Sequence, residues 1–192
     1  MVDNTPDDRD PEASISRRVR EERAKRGWTL AQLGERAGIS RAMISKIERA
    51  ERRPTAVLLA RLADAMALSL TSLMTDRRSC RPALRRVDDQ TLWRDPSTGY
   101  VRRLVSPAGD DGQTEIVAID LPAGATVAFE ADSHWTDEQV LLLEGRLRLE
   151  VGETGFDLAP GDCARIAVDQ RHAFCNTGNV PARYLVVMRK ET

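Results

Sequence analysis

The only two histidines in the chain, His134 and His172, each lie beside other groups able to hold a metal ion or a polar ligand. Residues 132–138 read D-S-H-W-T-D-E, and residues 172–176 read H-A-F-C-N. On extended backbone, where side chains alternate between faces, Asp132, His134, Glu138, Val140 and Leu142 share one parity. His172, Phe174 and Asn176 share another. Two strands presenting two imidazoles with the carboxylates of Asp132 and Glu138 can chelate one divalent ion, Zn²⁺, Mn²⁺, Fe²⁺ or Ni²⁺. The same residues support a reading without metal, in which both histidines hydrogen-bond an organic ligand or only fill space. Val140, Leu142, Phe174 and Asn176 then line an effector pocket. Trp135 either walls the mouth of that pocket or packs into the core.

The three cysteines, Cys80, Cys163 and Cys175, are odd in number and form no CxxC pair. They fit a reducing cytosol better than a disulfide framework. Cys175 has parity opposite to His172 and is expected to point away from any metal. Cys163 follows a Pro-Gly-Asp turn and is expected to be a small buried residue, with a redox-sensing thiol as the alternative. Hydrophobic residues at 41% allow a core, and charged residues at 31% exclude a bilayer protein. No stretch approaches the roughly 20 apolar residues of a membrane span, and the acidic N-terminus lacks an apolar secretion segment. A soluble, cytoplasmic chain without membrane partners is expected.

The elements that must position these groups fall into two halves. Residues 9–86 carry 19 Lys and Arg against 9 Asp and Glu, a net of +10, while residues 87–192 carry 10 against 18, a net of -8. A basic half suits a polyanion, although charge runs are often only solvated faces. The charge boundary coincides with a change of period. From Ser14 to about Met74 the apolar spacing is helical. Ile15 and Val19 mark a first helix that ends at Gly27. Thr29 and Gln32 form a capping box for a second, with Leu30, Leu33 and Ala37 on one side. Gly38 is placed to stop it in the left-handed conformation. Ser40 caps a third helix with Ile44 and Ile47 inward. Pro54-Thr55 opens a fourth through Leu58, Leu59, Leu62 and Met66, and Leu70 and Leu73 begin a fifth. Beyond a charged linker the runs YVRRLV, TEIVAIDL, TVAF, QVLLLE, RLRLEV, CARIAV and ARYLVVM read as short strands separated by turns. That spacing indicates an all-β sandwich or barrel.

A helix, a tight turn and an N-capped second helix make the geometry that enters a DNA major groove. Residues 29–55, TLAQLGERAGISRAMISKIERAERRPT, resemble the lambda-repressor-like, xenobiotic-response-element family of regulators over residues 14–75. The resemblance implies that Ser40, Arg41, Ala42, Ser45 and Lys46 stand at the start and along the exposed face of the recognition helix. Arg41 would pair with guanine and Ala42 would touch a thymine methyl. Thr29, Gln32, Arg49, Arg52 and Arg53 would meet phosphates. The resemblance also implies a structural pair between Arg23 and Glu48. Glu22 departs from the pattern, standing where the family buries a leucine, and predicts looser or shifted packing of the first helix.

The second half resembles the cupin family over residues 98–190. Its carriers are the His134-to-Glu138 spacing, Pro160-Gly161-Asp162, His172 followed four residues later by Asn176, and the LLLEG turn at Leu141–Gly145. The departure is Asp132, where the family's first ligand is histidine. These resemblances imply a two-domain α + β chain. Residues 1–13 form a disordered tail, 14–75 a five-helix helix-turn-helix domain, 76–90 a linker, and 91–192 an all-β cupin of jelly-roll type. The implied function is sequence-specific binding of a double-stranded DNA operator, modulated by a small-molecule or metal effector in the barrel. A homodimer is expected, because half-sites about one helical turn apart call for two-fold symmetry. Two other functions are open: a metal-dependent cupin enzyme fused to a DNA reader, and a ligand-free barrel serving only dimerisation.

Overall fold

Proline is favoured at the first helical position because its missing N–H is unsatisfied there anyway. In the computed structural model, which describes residues 11–74, 83–107, 114–131, 135 and 137–189, the first helix accordingly opens at Pro11. It runs Pro11–Lys25 (α1) with Glu12 in its first turn. The helix thus takes in residues 11–13, which the sequence assigns to a disordered tail. Proline and an acidic first turn are start signals, and reading them only as polar composition hides the start.

Four more helices follow: Leu30–Ala37 (α2), Arg41–Glu48 (α3), Ala56–Ala65 (α4) and Leu70–Met74 (α5). Their apolar faces close on one core in which Ile15, Val19, Leu33, Ile44, Ile47, Leu59, Leu62 and Leu73 are fully buried. Each such side chain contributes about 1.5–3 kcal/mol by leaving water. Between α2 and α3 the chain reverses through Gly38 at φ 61° and ψ 33°. Gly34 permits the close approach of the turn. A Cβ added there would lie 2.6 Å from the carbonyl oxygen of Ile39, a backbone atom with no room to withdraw. We expect Gly34→Ala to cost about 1–3 kcal/mol by overpacking, read as a lower urea midpoint of helix ellipticity. An unchanged midpoint would show that the turn yields.

The second unit is all antiparallel β. The strands among its described residues are Leu92–Arg94 (β1), Val101–Leu104 (β2), Thr114–Leu121 (β3), Thr126–Phe129 (β4), Asp137–Glu144 (β5), Leu147–Val151 (β6), Thr154–Leu158 (β7), Cys163–Ala167 (β8), His172–Cys175 (β9) and Ala182–Arg189 (β10). They form a six-stranded sheet in the order β1-β2-β3-β10-β5-β8 and a four-stranded sheet in the order β4-β9-β6-β7. The expected two-part α + β class, with an all-β barrel after the helices, is what the chain adopts. The sequence runs mark seven strands and leave out β1, β7 and β9. β1 has three residues, and four of the five residues of β7 are exposed, so neither shows alternation. In β9 His172, Ala173 and Phe174 are all buried, which again breaks the period. The segment expected as linker includes a 3₁₀ turn at Val87–Asp89.

Candidate nucleic-acid interface and barrel interior

The second helix starts where a side chain can satisfy its free N–H groups. Thr29 accepts from the Gln32 amide at 3.2 Å, and the Gln32 side-chain oxygen accepts from the Thr29 N–H at 2.8 Å. Ser40 does the same for α3, accepting from Met43 N–H at 3.2 Å. Ile44 and Ile47 turn inward, so α3 presents Arg41, Ala42 and Lys46 to solvent with Ser45 half-buried beside them. Arg49, Arg52 and Arg53 are exposed just beyond the helix. Thr29 and Gln32, expected at phosphates, spend their side-chain oxygens on the cap. Arg49 pairs with Glu51 at 3.0 Å, and Arg53 pairs with Glu12 at 2.5 Å. Exposed pairs of this kind are worth about 0–1 kcal/mol, little enough for a phosphate to displace them.

Two ion-pair systems hold this reader in place. Arg23 Nε and Nη2 donate to the two carboxylate oxygens of Glu48 at 2.6 and 2.8 Å, and Nη1 donates to the Trp28 carbonyl at 2.7 Å. The pair with Glu48 raises the Arg23 pKa against the opposing effect of burial. The expected Arg23–Glu48 bridge is therefore formed, linking the end of α1 to the end of α3. Glu22 does not loosen α1 as its departure from the family pattern suggests. It is 6% exposed and meets Arg18 at 3.0 Å, Lys25 at 2.8 Å and Arg26 at 2.7 Å. Burial pushes its carboxyl upward, but these three cations outweigh burial and hold it below the ordinary value. Sequence reading missed one contributor. Arg61, from α4, donates through Nε to the Ala37 carbonyl at 2.9 Å and through Nη2 to the Gly38 carbonyl, capping α2 at the turn. A basic residue 24 positions away carries no local signal for that role.

In the barrel, Glu138, Val140 and Leu142 alternate inward along β5, and His172 and Phe174 are buried on β9. These two strands belong to different sheets. His172 Nδ1 lies 3.2 Å from the Gln170 carbonyl, an acceptor only, so the proton on Nδ1 is directed at that carbonyl. Its ring packs 5.7 Å from Phe129 and 5.8 Å from Phe174. Asp132 and His134, the other two candidate ligands, lie outside the described residues. Among the described residues no group of three His, Cys, Asp or Glu is placed to hold a metal ion. Glu138 and His172 thus supply two donors of the kinds a divalent ion takes, and the described residues alone do not complete a site.

Asn176, expected to line the pocket, is hydrogen-bonded to backbone. Its Nδ2 reaches the carbonyls of Leu121 at 2.9 Å, Pro122 at 3.1 Å and Val180 at 2.8 Å, and its Oδ1 accepts from Gly178 N–H at 2.9 Å. The amide is thus engaged with the backbone at the end of β3 and in the loops beside it. Cys163 is corrected: it is exposed, because it opens β8, an edge strand, opposite the outward-facing Leu141. Cys175 is half-buried on the face away from His172, and Cys80 lies outside the described residues. Trp135 is buried.

A polar cluster on the inner face went unread in the sequence. Arg102, Tyr100 and Tyr184 are 7%, 2% and 1% exposed. Burial lowers the Arg102 pKa, but Tyr100, Glu115 and Glu138 more than offset this, so the guanidinium stays charged. Burial, with Tyr100 and Glu138 adding to it, pushes Tyr184 well above the ordinary phenol value and keeps it neutral. The run Y-V-R-R-L-V places Arg102 on the parity of Tyr100 and Leu104, which is the available signal for an inward arginine.

A helix-turn-helix family model matches residues 19–73, and a cupin domain model matches residues 118–188. The chain therefore carries a helix-turn-helix domain followed by a cupin domain. Over 164 residues this regulator is 26% identical to the HTH-type transcriptional regulator SutR of Escherichia coli (strain K12), spanning 85% of this chain and 88% of that protein. It is also similar to the crystal structure of an HTH_3 family transcriptional regulator from Vibrio cholerae, at 20% identity and a TM-score of 0.79 over 96% of this chain and 99% of that one. At that identity the likeness is one of fold. The Cupin_2 domain of an XRE family transcriptional regulator from Enterobacter cloacae matches 48% of the regulator and 98% of its own chain, with 20% identity and a TM-score of 0.46.

Proposed function

We propose that this regulator is a homodimer that reads a double-stranded DNA operator with α3 and takes a small-molecule effector in its barrel. The observation that carries the reading is the division of α3. Ile44 and Ile47 are fixed in the core while Arg41, Ala42 and Lys46 stand outward, on a half of the chain with a net charge of +10. A guanidinium at Arg41 suits guanine, and the small Ala42 lets the helix approach a thymine methyl. Arg49, Arg52 and Arg53 set the register on the backbone. Effector binding in the barrel biases the dimer between states that differ in operator affinity. No helix among the described residues is long and apolar enough to cross a membrane, in keeping with a DNA-bound life in the cytoplasm.

The test begins with selection of the operator from random duplex DNA by the full chain. Arg41→Ala is then expected to weaken the selected site by about 1–3 kcal/mol and to relax preference at one base pair. Arg52→Ala is expected to weaken all sequences alike and to reduce the salt slope by about 1. Unchanged affinity and preference in Arg41→Ala would remove α3 from base reading.

A metal-dependent version has one observation in its favour. The Gln170 carbonyl lies 3.2 Å from His172 Nδ1, the backbone contact that a metal-ligating imidazole takes through its other ring nitrogen. In that version Asp132, His134, Glu138 and His172 hold one Zn²⁺, Mn²⁺, Fe²⁺ or Ni²⁺. Elemental mass spectrometry of untagged protein, with His134→Ala alongside, decides it: stoichiometric metal lost in the variant supports the site, and none in either excludes it. The reading assigns the barrel no turnover. Conversion of a metabolite by metal-loaded protein, abolished in His172→Ala, would overturn that assignment.

A further inference from the structure

Buried charge inside an apolar barrel is costly unless something balances it, so its arrangement says what the interior is built to meet. Strand register fixes that arrangement. Met188 on β10 pairs with Glu115 on β3 and with Glu138 on β5, so two carboxylate residues flank it on one face of the sheet. Arg102 starts on β2, two strands from β10, opposite Ile119, which in turn pairs with Tyr184. Its side chain crosses toward β10, where Nη2 comes within 3.8 Å of the Met188 sulfur. A fixed cation and two carboxylate residues therefore meet over the same strand.

Tyr184 stands four residues before Met188 on that strand and faces the same way. Its ring stacks on Phe174 of the other sheet, with centroids 5.5 Å apart and planes 10° from parallel. The hydroxyl has no hydrogen-bond partner among the described residues. Phenylalanine would fill the same space without stranding a buried polar atom. The hydroxyl is left for a partner that is not among the described residues.

We infer that the barrel binds a small zwitterion, a molecule bearing both a carboxylate and an ammonium group. Its carboxylate is taken by the Arg102 guanidinium and the Tyr184 hydroxyl, and its ammonium by Glu138. Charge-assisted contacts of both signs form at once, and the net charge of the interior is unchanged by binding. A simple acid would bring its charge up against Glu115 and Glu138, and a simple amine would offer Arg102 no carboxylate. The inference rests on the effector reading above and names the class of effector.

The test is isothermal titration calorimetry of the full chain with three matched series: straight-chain amino carboxylates of two to six carbons, the same chains bearing only the acid, and the same chains bearing only the amine. At least one amino carboxylate is expected to bind, with its acid-only and amine-only counterparts at least about tenfold weaker. Arg102→Met is expected to reduce that affinity by about ten- to a hundredfold, the worth of a charge-assisted hydrogen bond. Tyr184→Phe keeps the stack on Phe174 and decides the matter should Arg102→Met fail to fold; it is expected to weaken binding several-fold while leaving the unliganded protein as stable or more so. Acids or amines that bind as tightly as the amino carboxylates would overturn the inference, as would failure of every amino carboxylate to bind. Failure of the regulatory reading looks different. Amino carboxylates would bind, sensitive to Arg102→Met, yet operator affinity would be the same with and without them. Conversely, an operator response to some other class of molecule, unaltered in Arg102→Met, would spare the regulatory reading and sink the zwitterion.

Discussion

Glu48→Ala is expected to destabilise the helical unit by about 3 kcal/mol, at the lower edge of the range for breaking a buried ion pair. The Glu48 side chain is 7% exposed and that of Arg23 17%, so removing the carboxylate leaves a guanidinium largely cut off from water. Only its bond to the Trp28 carbonyl survives. The loss is read as a fall in the urea midpoint of far-ultraviolet circular dichroism, which follows the helices. Glu48→Gln, which keeps the shape and one acceptor, is expected to lose less. The double variant Arg23→Met with Glu48→Leu is expected to recover most of the stability, because two apolar groups strand no charge. A double variant no better than Glu48→Ala would mean that the pair's shape, and not its charge balance, holds α1 against α3.

The second large effect is expected at Asn176→Ala, about 2–4 kcal/mol on the β unit. One side chain there shares two N–H donors among three carbonyls and accepts from one N–H, and each buried group left without a partner costs about 1–3 kcal/mol. The variant also separates two roles for this residue. As a loop tie, Asn176→Ala lowers the unfolding midpoint, while ligand affinity measured on the folded fraction is unchanged. As a pocket contact, it would lower affinity with the midpoint intact. Fluorescence of Trp93 and Trp135, both buried in the β unit, follows the transition.

Much of the reader is written locally and was legible for that reason. Thr29 with Gln32, Ser40, Gly34 and Gly38 each act within a few residues of where they stand, so spacing alone announces caps, turn and close approach. The inward parity of Glu138, Val140 and Leu142, and of His172 and Phe174, is likewise a property of single strands. What spacing could not give were partners distant in the chain. Arg61 caps a helix 24 residues earlier, and Arg53 is held by Glu12 in a segment whose polar composition masked a helix start.

By itself the sequence determined the helical reader, the β barrel behind it and the sign of the charge on each half, because period, capping and composition are one-dimensional. Only the tertiary structure decided which polar groups meet. Strand order sets Arg102 over Met188 between Glu115 and Glu138, leaves the Tyr184 hydroxyl facing inward, and brings the Asn176 amide to the carbonyls of Leu121, Pro122 and Val180. Register between strands far apart in sequence is fixed by packing the two sheets on one another, and no single strand carries that information.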